Sequence, residues 1–391
     1  MTRRVTLSER LRIAFIGAGN ANFGGGEGPW DHAGRLEKID GAGFPRGVPL
    51  SVVGIADVNM DLAQRRLAAR RAGAAPKIWS NTEVFADFRQ MLDKARPDAV
   101  FIGLPGEAHG LPDPPKDAEL ACAAAGVHFL VEKPLSAYPP SEVAPVARAL
   151  AAAGKKGLIV SVGYMFRYSL AVEKMRQVLA QTAGGPRAVI ARYGCAYSEI
   201  ASKVWWDSRR TGGVIVEQAT HFCDLMRFLA GEVELPSISA VRIAAAEQAG
   251  QLTGVPAGRD GRPIDADIPA EQQIPRATAA VWKFQNGAVG SLTHGVLLHG
   301  KKYQSQLEVW SDGLAMLLDD PYGHCQLHLR LPGGDRTETL TFTDDDPYLT
   351  EDQAFIDAIR TGDASGTHST YADAMKTYQL TWAIRRASEP R

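Results

Sequence analysis

Short apolar runs separated by helix-forming stretches constrain this chain more than any other feature. Residues 12–16 (Arg-Ile-Ala-Phe-Ile), 50–56, 98–102, 127–131 and 157–162 each read as a strand. Between them, residues 61–72, rich in Ala, Leu and Arg, and residues 118–125 and 141–153 read as helices. Strands that are apolar along nearly their whole length leave no side for water, so both faces of their sheet are covered. Strands that alternate with helices and are buried on both faces form a parallel sheet, which places the first part of the chain in the α/β class. Ligands of such sheets sit beyond the carboxyl ends of the strands.

The rest of the chain follows a different grammar. Residues 278–298 hold two strands joined by Asn286-Gly287, a pair that tolerates positive φ and marks a hairpin. Asp312-Gly313 and Gly333-Gly334 punctuate the following runs in the same way. An antiparallel sheet is expected here. One helix over 213–230, stopped by Gly231, precedes it, and helices near 350–360 and 370–387 follow it. Residues 247–276 are polar and rich in Gly and Pro. They read as a long hairpin connection, with a lid or subunit contact as the alternative.

Composition removes several classes of function. The 391 residues carry a net charge of -1, with 45% hydrophobic and 22% charged residues. Nothing in that balance favours a nucleic acid or an anionic membrane as partner. Cys122, Cys195, Cys223 and Cys325 are scattered without a Cys-x-x-Cys pair, which suits reduced thiols in a cytoplasm and provides no metal site. No segment approaches the apolar length that crosses a bilayer. A cytoplasmic protein acting on a small molecule is expected.

Gly17-Ala18-Gly19-Asn20-Ala21-Asn22 follows the first strand. Gly17 allows a tight turn, and Gly19 lets backbone amides approach a pyrophosphate. Asn22 stands where the usual fingerprint has its third glycine, so a Gly-rich turn without a ligand competes with this reading. Asp57 closes the second strand, where a carboxylate can bind an adenosine ribose and repel a 2′-phosphate. It lies 40 residues after Gly17, where about 20 is usual; an inserted stretch over 23–35 accounts for the excess. The competing reading of Asp57 is a turn-forming residue in Asp57-Val58-Asn59. Gly103-Leu104-Pro105 ends another strand, and His109 follows as a candidate for the nicotinamide ribose or as a solvated loop residue.

Glu132-Lys133-Pro134 comes directly after the apolar run 127–131 and places charge at a strand end where ligands dock. If 213–230 is one helix, Glu217 and His221 are i and i+4 and share a face. An imidazole with a carboxylate beside it suits proton transfer near neutral pH, and a surface ion pair is the bland alternative. Glu-x3-His supplies two potential ligands and no third at a familiar spacing, which disfavours zinc.

Taken in order, these parts resemble the glucose–fructose oxidoreductase / inositol dehydrogenase (Gfo/Idh/MocA) family. The resemblance runs through Ile16-Gly17-Ala18-Gly19, Ala56-Asp57-Val58-Asn59, His109, Glu132-Lys133-Pro134, residues 162–168, Gly212-Gly213, Glu217, His221-Phe222-Cys223-Asp224 and Gly231. It implies a Rossmann domain with a doubly wound parallel sheet over 1–163. An α+β domain over 164–391 then carries a large, open, mainly antiparallel sheet for substrate binding and homodimer or homotetramer formation. It also implies a cis peptide before Pro134. NAD(H) is the expected cofactor, with NADP(H) possible, held by Gly17, Gly19, Asn20, Asn22, Asp57, Leu104, Pro105, His109, Glu132 and Lys133.

Residue by residue, the resemblance makes Lys133 the group on the substrate hydroxyl and the nicotinamide ribose. It makes His221 the proton acceptor and donor, and it puts Glu217 where many members have Asp. Asn22 and the enlarged stretch over 23–35 depart from the common pattern and imply an unusual wall near the cofactor. Tyr164, Arg167, Trp205 and Trp206 are candidate lining residues for a carbohydrate-like substrate, with a place in the core as the equal alternative for each. The implied activity is hydride transfer between nicotinamide and a secondary alcohol or ketone of a sugar or polyol. An NAD-dependent glycosidase acting by transient oxidation and a nucleotide-sensing regulator are the rivals.

Overall fold

Six strands form a wholly parallel sheet: β1 (Leu11–Ile16), β2 (Leu50–Ala56), β3 (Glu83–Phe85), β4 (Ala99–Ile102), β5 (His128–Val131) and β6 (Val160–Val162). Their spatial order is β3-β2-β1-β4-β5-β6, the doubly wound arrangement in which strand order reverses beside β1. The computed structural model describes residues 10–25, 28–40, 49–258, 260–300 and 302–390. All four residues of β4 and of β5 are buried, His128 of β5 being the one polar residue among them. Strand β3 and the helix Phe88–Ala95 were not legible in advance. Asp87 caps that helix by accepting the Arg89 amide.

The core under this sheet is built from Ile13, Phe15, Val52, Ile55, Phe101 and Leu130. Trp79 stacks on Phe15 with ring centroids 5.9 Å apart. The helix Pro347–Thr361 returns to the same core with Phe355, Ile356 and Ile359. The chain accordingly forms two units, Met1–Met165 with Asp346–Met375, and Phe166–Asp345 with Lys376–Arg391. A single division near 163 does not describe it, because the apolar face of a late helix fills the first core. Part of the stretch over 23–35 is likewise packed structure: His32 opens the helix His32–Asp40, which buries Leu36 and Ile39. The Lys133–Pro134 peptide is cis, as the family resemblance implies.

The second unit holds an eight-stranded sheet. Its strands are β7 (Ala188–Ala196), β8 (Ser239–Ile243), β9 (Ala277–Lys283), β10 (Val289–Leu298), β11 (Tyr303–Trp310), β12 (Ala315–Asp319), β13 (Gln326–Arg330) and β14 (Glu338–Thr341). They lie in the order β14-β13-β12-β11-β7-β10-β9-β8, and every pair is antiparallel except β7 with β10. Gly287, at φ 88°, makes the turn from β9 to β10 where Asn286-Gly287 predicts it. The connection from β8 to β9 is not a loose excursion. Ile264, Ile268 and Ile274 pack with Tyr197, Trp206, Val214 and Val296. Among the described residues no helix is long and apolar enough to cross a membrane.

Candidate active site

Gly17 turns the chain out of β1 at φ 93°, and a Cβ there would lie 2.5 Å from the Gly103 carbonyl oxygen. Only glycine fits that approach. Nothing lies within 4 Å of a Cβ built on Gly19, so the backbone beyond the turn stays open. Asp57 Oδ2 accepts from the Ala18 amide at 2.6 Å, and its Oδ1 accepts from the Asn59 amide at 2.7 Å. The carboxylate therefore makes the Asx-type turn and also ties β2 to the glycine loop. Asn20 Oδ1 accepts from Arg66 at 2.9 Å. A tight positive-φ turn, an open Gly19 and a carboxylate at the β2 end fit a dinucleotide.

Two of the expected cofactor residues, Asn22 and His109, are buried. Asn22 has no exposed surface; its amide donates to the carbonyls of Gly17 at 2.7 Å and Ile16 at 3.2 Å. It pins the turn from behind, and a Cβ on Gly103 would collide with it at 2.8 Å. His109 is not a solvated loop residue. It is buried, with Nδ1 2.7 Å from Glu119 on the helix Ala118–Ala125. Leu104 is half-buried and Pro105 exposed at the end of β4.

Lys133 follows β5 at the same carboxyl edge as the glycine turn and is half-buried. Its amide donates to Glu132 Oε2 at 3.2 Å. The Glu132 carboxylate itself faces inward, with Oε1 3.0 Å from His32 Nε2. His32 Nδ1 lies 2.8 Å and 3.0 Å from the two oxygens of Asp352. Burial alone would lower the His32 pKa, but Asp352 and Glu132 together outweigh it and push it up to about 10. Burial, with Glu132 and Asp352 alongside, holds Glu351 well above the usual carboxylate range. None of His32, Glu351 and Asp352 was a candidate in the sequence, since they meet Glu132 only through tertiary packing.

In the second unit the expected helix over 213–230 is broken. A short turn, Val214–Glu217, ends at Gln218, and a new helix runs over Thr220–Ala230. The Ala219 amide bonds back to the Val214 carbonyl, and the Gln218 side chain turns aside to accept from His294 Nε2 at 2.7 Å. Burial pushes His294 down to about 3, so it stays neutral and holds this contact. Glu217 and His221 are thus not i and i+4 of one helix. Glu217 Oε2 accepts from the Trp205 indole at 2.8 Å. His221 lies edge-on to Phe166 at 5.8 Å and to Tyr322 at 6.4 Å. Tyr322 sits on the β12–β13 turn, and Tyr193 and Tyr303 stack around it.

The expected substrate residues Tyr164, Arg167 and Trp206 are all buried. Arg167 makes a bidentate pair with Asp224, at 2.6 Å and 2.5 Å, and both are buried. Thr377 joins them by donating to Asp224 Oδ1 at 2.8 Å. Trp206 is fully buried and donates to the Ile200 carbonyl, and Tyr164 is 1% exposed. All four cysteines are buried and free, and the described residues contain no cluster able to hold a metal.

Residues 11–164 match the oxidoreductase family with an NAD-binding Rossmann fold, Gfo/Idh/MocA, and residues 167–314 match an oxidoreductase C-terminal domain. The Schizosaccharomyces pombe protein UNK4.17 is 35% identical over 96% of this chain and 91% of its own length. The chain belongs to the Gfo/Idh/MocA oxidoreductase family. Inositol 2-dehydrogenase of Rhodococcus erythropolis is 27% identical over 67% of this Gfo/Idh/MocA chain and 66% of its own. The fold is shared with levoglucosan dehydrogenase in complex with NADH and L-sorbose, at a TM-score of 0.73 and 20% identity, with 97% of each chain covered. This Gfo/Idh/MocA oxidoreductase therefore carries an NAD-binding Rossmann domain, and the glycine turn, Asp57 and Lys133 stand at one edge of its sheet.

Proposed function

We propose that the protein is a dehydrogenase or reductase acting on a secondary alcohol or ketone of a carbohydrate-like small molecule, with NAD(H) preferred over NADP(H). The observation that carries this reading is the shared carboxyl edge of the first sheet, where the glycine turn, Asp57 and Lys133 lie together. Gly17, Gly19, Asp57, Leu104 and Pro105 would hold the cofactor, and Asp57 would accept its adenosine ribose hydroxyls. The bound nicotinamide supplies hydride exchange. Lys133 stabilises negative charge that develops on the substrate oxygen, and His221 takes or returns the hydroxyl proton. Phe166 and Tyr322 pack against the His221 ring and support its orientation.

The inositol and levoglucosan dehydrogenases among its relatives support the carbohydrate-like class. Purified protein incubated with NAD and a panel of sugars and polyols should produce NADH steadily with at least one of them. Product release without net NADH would favour a glycosidase acting by transient oxidation, and binding without turnover would favour a regulator. We also place the protein in the cytoplasm, where buried free thiols stay reduced, and take it as a homodimer or homotetramer. Strand alternation puts Val241, Val281, Val289 and Trp310 on one exposed sheet face, and sedimentation of wild type against a Val281→Glu variant tests that assembly.

A further inference from the structure

His32 has carboxylates on both ring nitrogens, Asp352 at 2.8 Å and Glu132 at 3.0 Å, and all three side chains are buried. A neutral imidazole can donate from only one nitrogen, whereas an imidazolium donates from both. The geometry thus calls for a charged ring when both carboxyl groups are ionised. Glu132 in turn spans two groups, accepting from His32 on Oε1 and from the Lys133 backbone amide on Oε2. A Cβ on Gly163 would lie 2.9 Å from that carboxylate, so the glycine is what leaves room for it.

We propose that His32 is a positioning residue for Lys133: as an imidazolium anchored by Asp352, it keeps Glu132 turned onto the Lys133 amide. The proposal rests on the reading above that Lys133 acts on the substrate oxygen. The titratable and charged groups around the cluster come from three directions. Glu351 and Asp352 face it from the helix Pro347–Thr361, Glu132 from the β5 end, and Arg35 acts on Asp352 from the helix of His32 itself. The Phe101 ring, 5.1 Å from the imidazole, closes the remaining side with no charge. Without His32, Glu132 Oε1 would lose its donor and the carboxyl groups of Glu132, Asp352 and Glu351 would face one another with no imidazolium between them. Glu132 would then be held less firmly against the Lys133 amide, and the ammonium would lose its fixed origin. The helix that delivers His32 begins inside the stretch over 23–35 by which this chain departs from the common family pattern.

The test uses the NAD-bound protein and reads three things: the His32 ring by NMR with labelled histidine, NADH binding by fluorescence, and the pH profile of kcat. In wild type the His32 ring should remain an imidazolium between about pH 6 and about pH 9. His32→Gln should retain NADH binding while kcat falls by roughly 10-fold to 100-fold at neutral pH, the scale of a displaced catalytic group. Its pH profile should differ from that of wild type, and the double change His32→Gln with Glu132→Gln should lower kcat no further than His32→Gln alone. Asp352→Asn and Gly163→Ala should lower kcat in the same direction, and they supply the answer if His32→Gln does not fold. A folded His32→Gln with wild-type kcat and profile, or a neutral His32 ring at neutral pH, overturns the proposal. If Lys133→Ala kept full turnover, the functional reading would fall, and a charged His32 would then be a feature of folding alone. An inactive Lys133→Ala beside a normal His32→Gln would remove only the role given to His32.

Discussion

Asp57 Oδ2 accepts a 2.6 Å hydrogen bond from the Ala18 amide, which ties the end of β2 to the glycine turn after β1. The carboxylate proposed to choose the cofactor is therefore also part of the cradle. Asp57→Ser should weaken NAD(H) binding by about 10-fold or more, the scale of a lost charge-assisted hydrogen bond. NADP(H) binding should suffer less, since repulsion of the 2′-phosphate is removed together with the cradle contact. Fluorescence titration of both reduced cofactors against wild type and variant checks this. Equal affinities in wild type would sink it.

Lys133→Ala and His221→Ala should each remove most turnover and leave NADH binding largely intact. Loss of the His221 acid–base group should cost about 10²-fold to 10⁴-fold in kcat at neutral pH. Glu217→Gln should be milder, because the amide oxygen can still accept from the Trp205 indole. Steady-state rates on the substrate found by the sugar and polyol panel decide the order. A near-normal His221→Ala rate would return His221 to a buried ring packed on Phe166.

Arg167 and Asp224 should behave as structural residues. Removing either partner of this buried pair strands a charge, which costs about 3–5 kcal/mol. Asp224→Ala should consequently lower the midpoint of thermal unfolding strongly. A variant with unchanged unfolding but a raised KM would restore Arg167 to the substrate site.

Stability should fall as the solution becomes alkaline. The His32 pKa is raised in the folded state from 6.5 to about 10. Its contribution is fully present below the unfolded value and is lost as pH rises toward the folded one. Glu351, also pushed up by burial, acts in the same direction, because ionising it in the core is unfavourable. Denaturant unfolding at about pH 6 and about pH 9.5 should show the loss, and His32→Gln should flatten it. A wild-type stability that rises across this interval contradicts the assignment.

Much of the fold was legible because it depends on local pattern. Unbroken apolar runs specify strands buried on both faces, and Asn286-Gly287 specifies a hairpin. Gly17 and Asp57 carry backbone requirements that hold whatever surrounds them. The helix over 213–230 was misread because its residues suit a helix throughout, and the break comes from Gln218 turning to His294 on a distant strand. Arg167, Trp206 and Tyr164 stay open between pocket lining and core in the sequence, because polarity and aromaticity do not reveal burial.

By itself the sequence determined the class of each half, the cofactor edge and the residues at the strand ends. Those follow from periodicity, glycine geometry and charge placed after apolar runs, all of which act over a few residues. Only the tertiary structure decided what stands behind Lys133. His32, Glu132 and Asp352 are separated by 100 and 220 residues along the chain, and their charges matter to one another only once folding has excluded water between them.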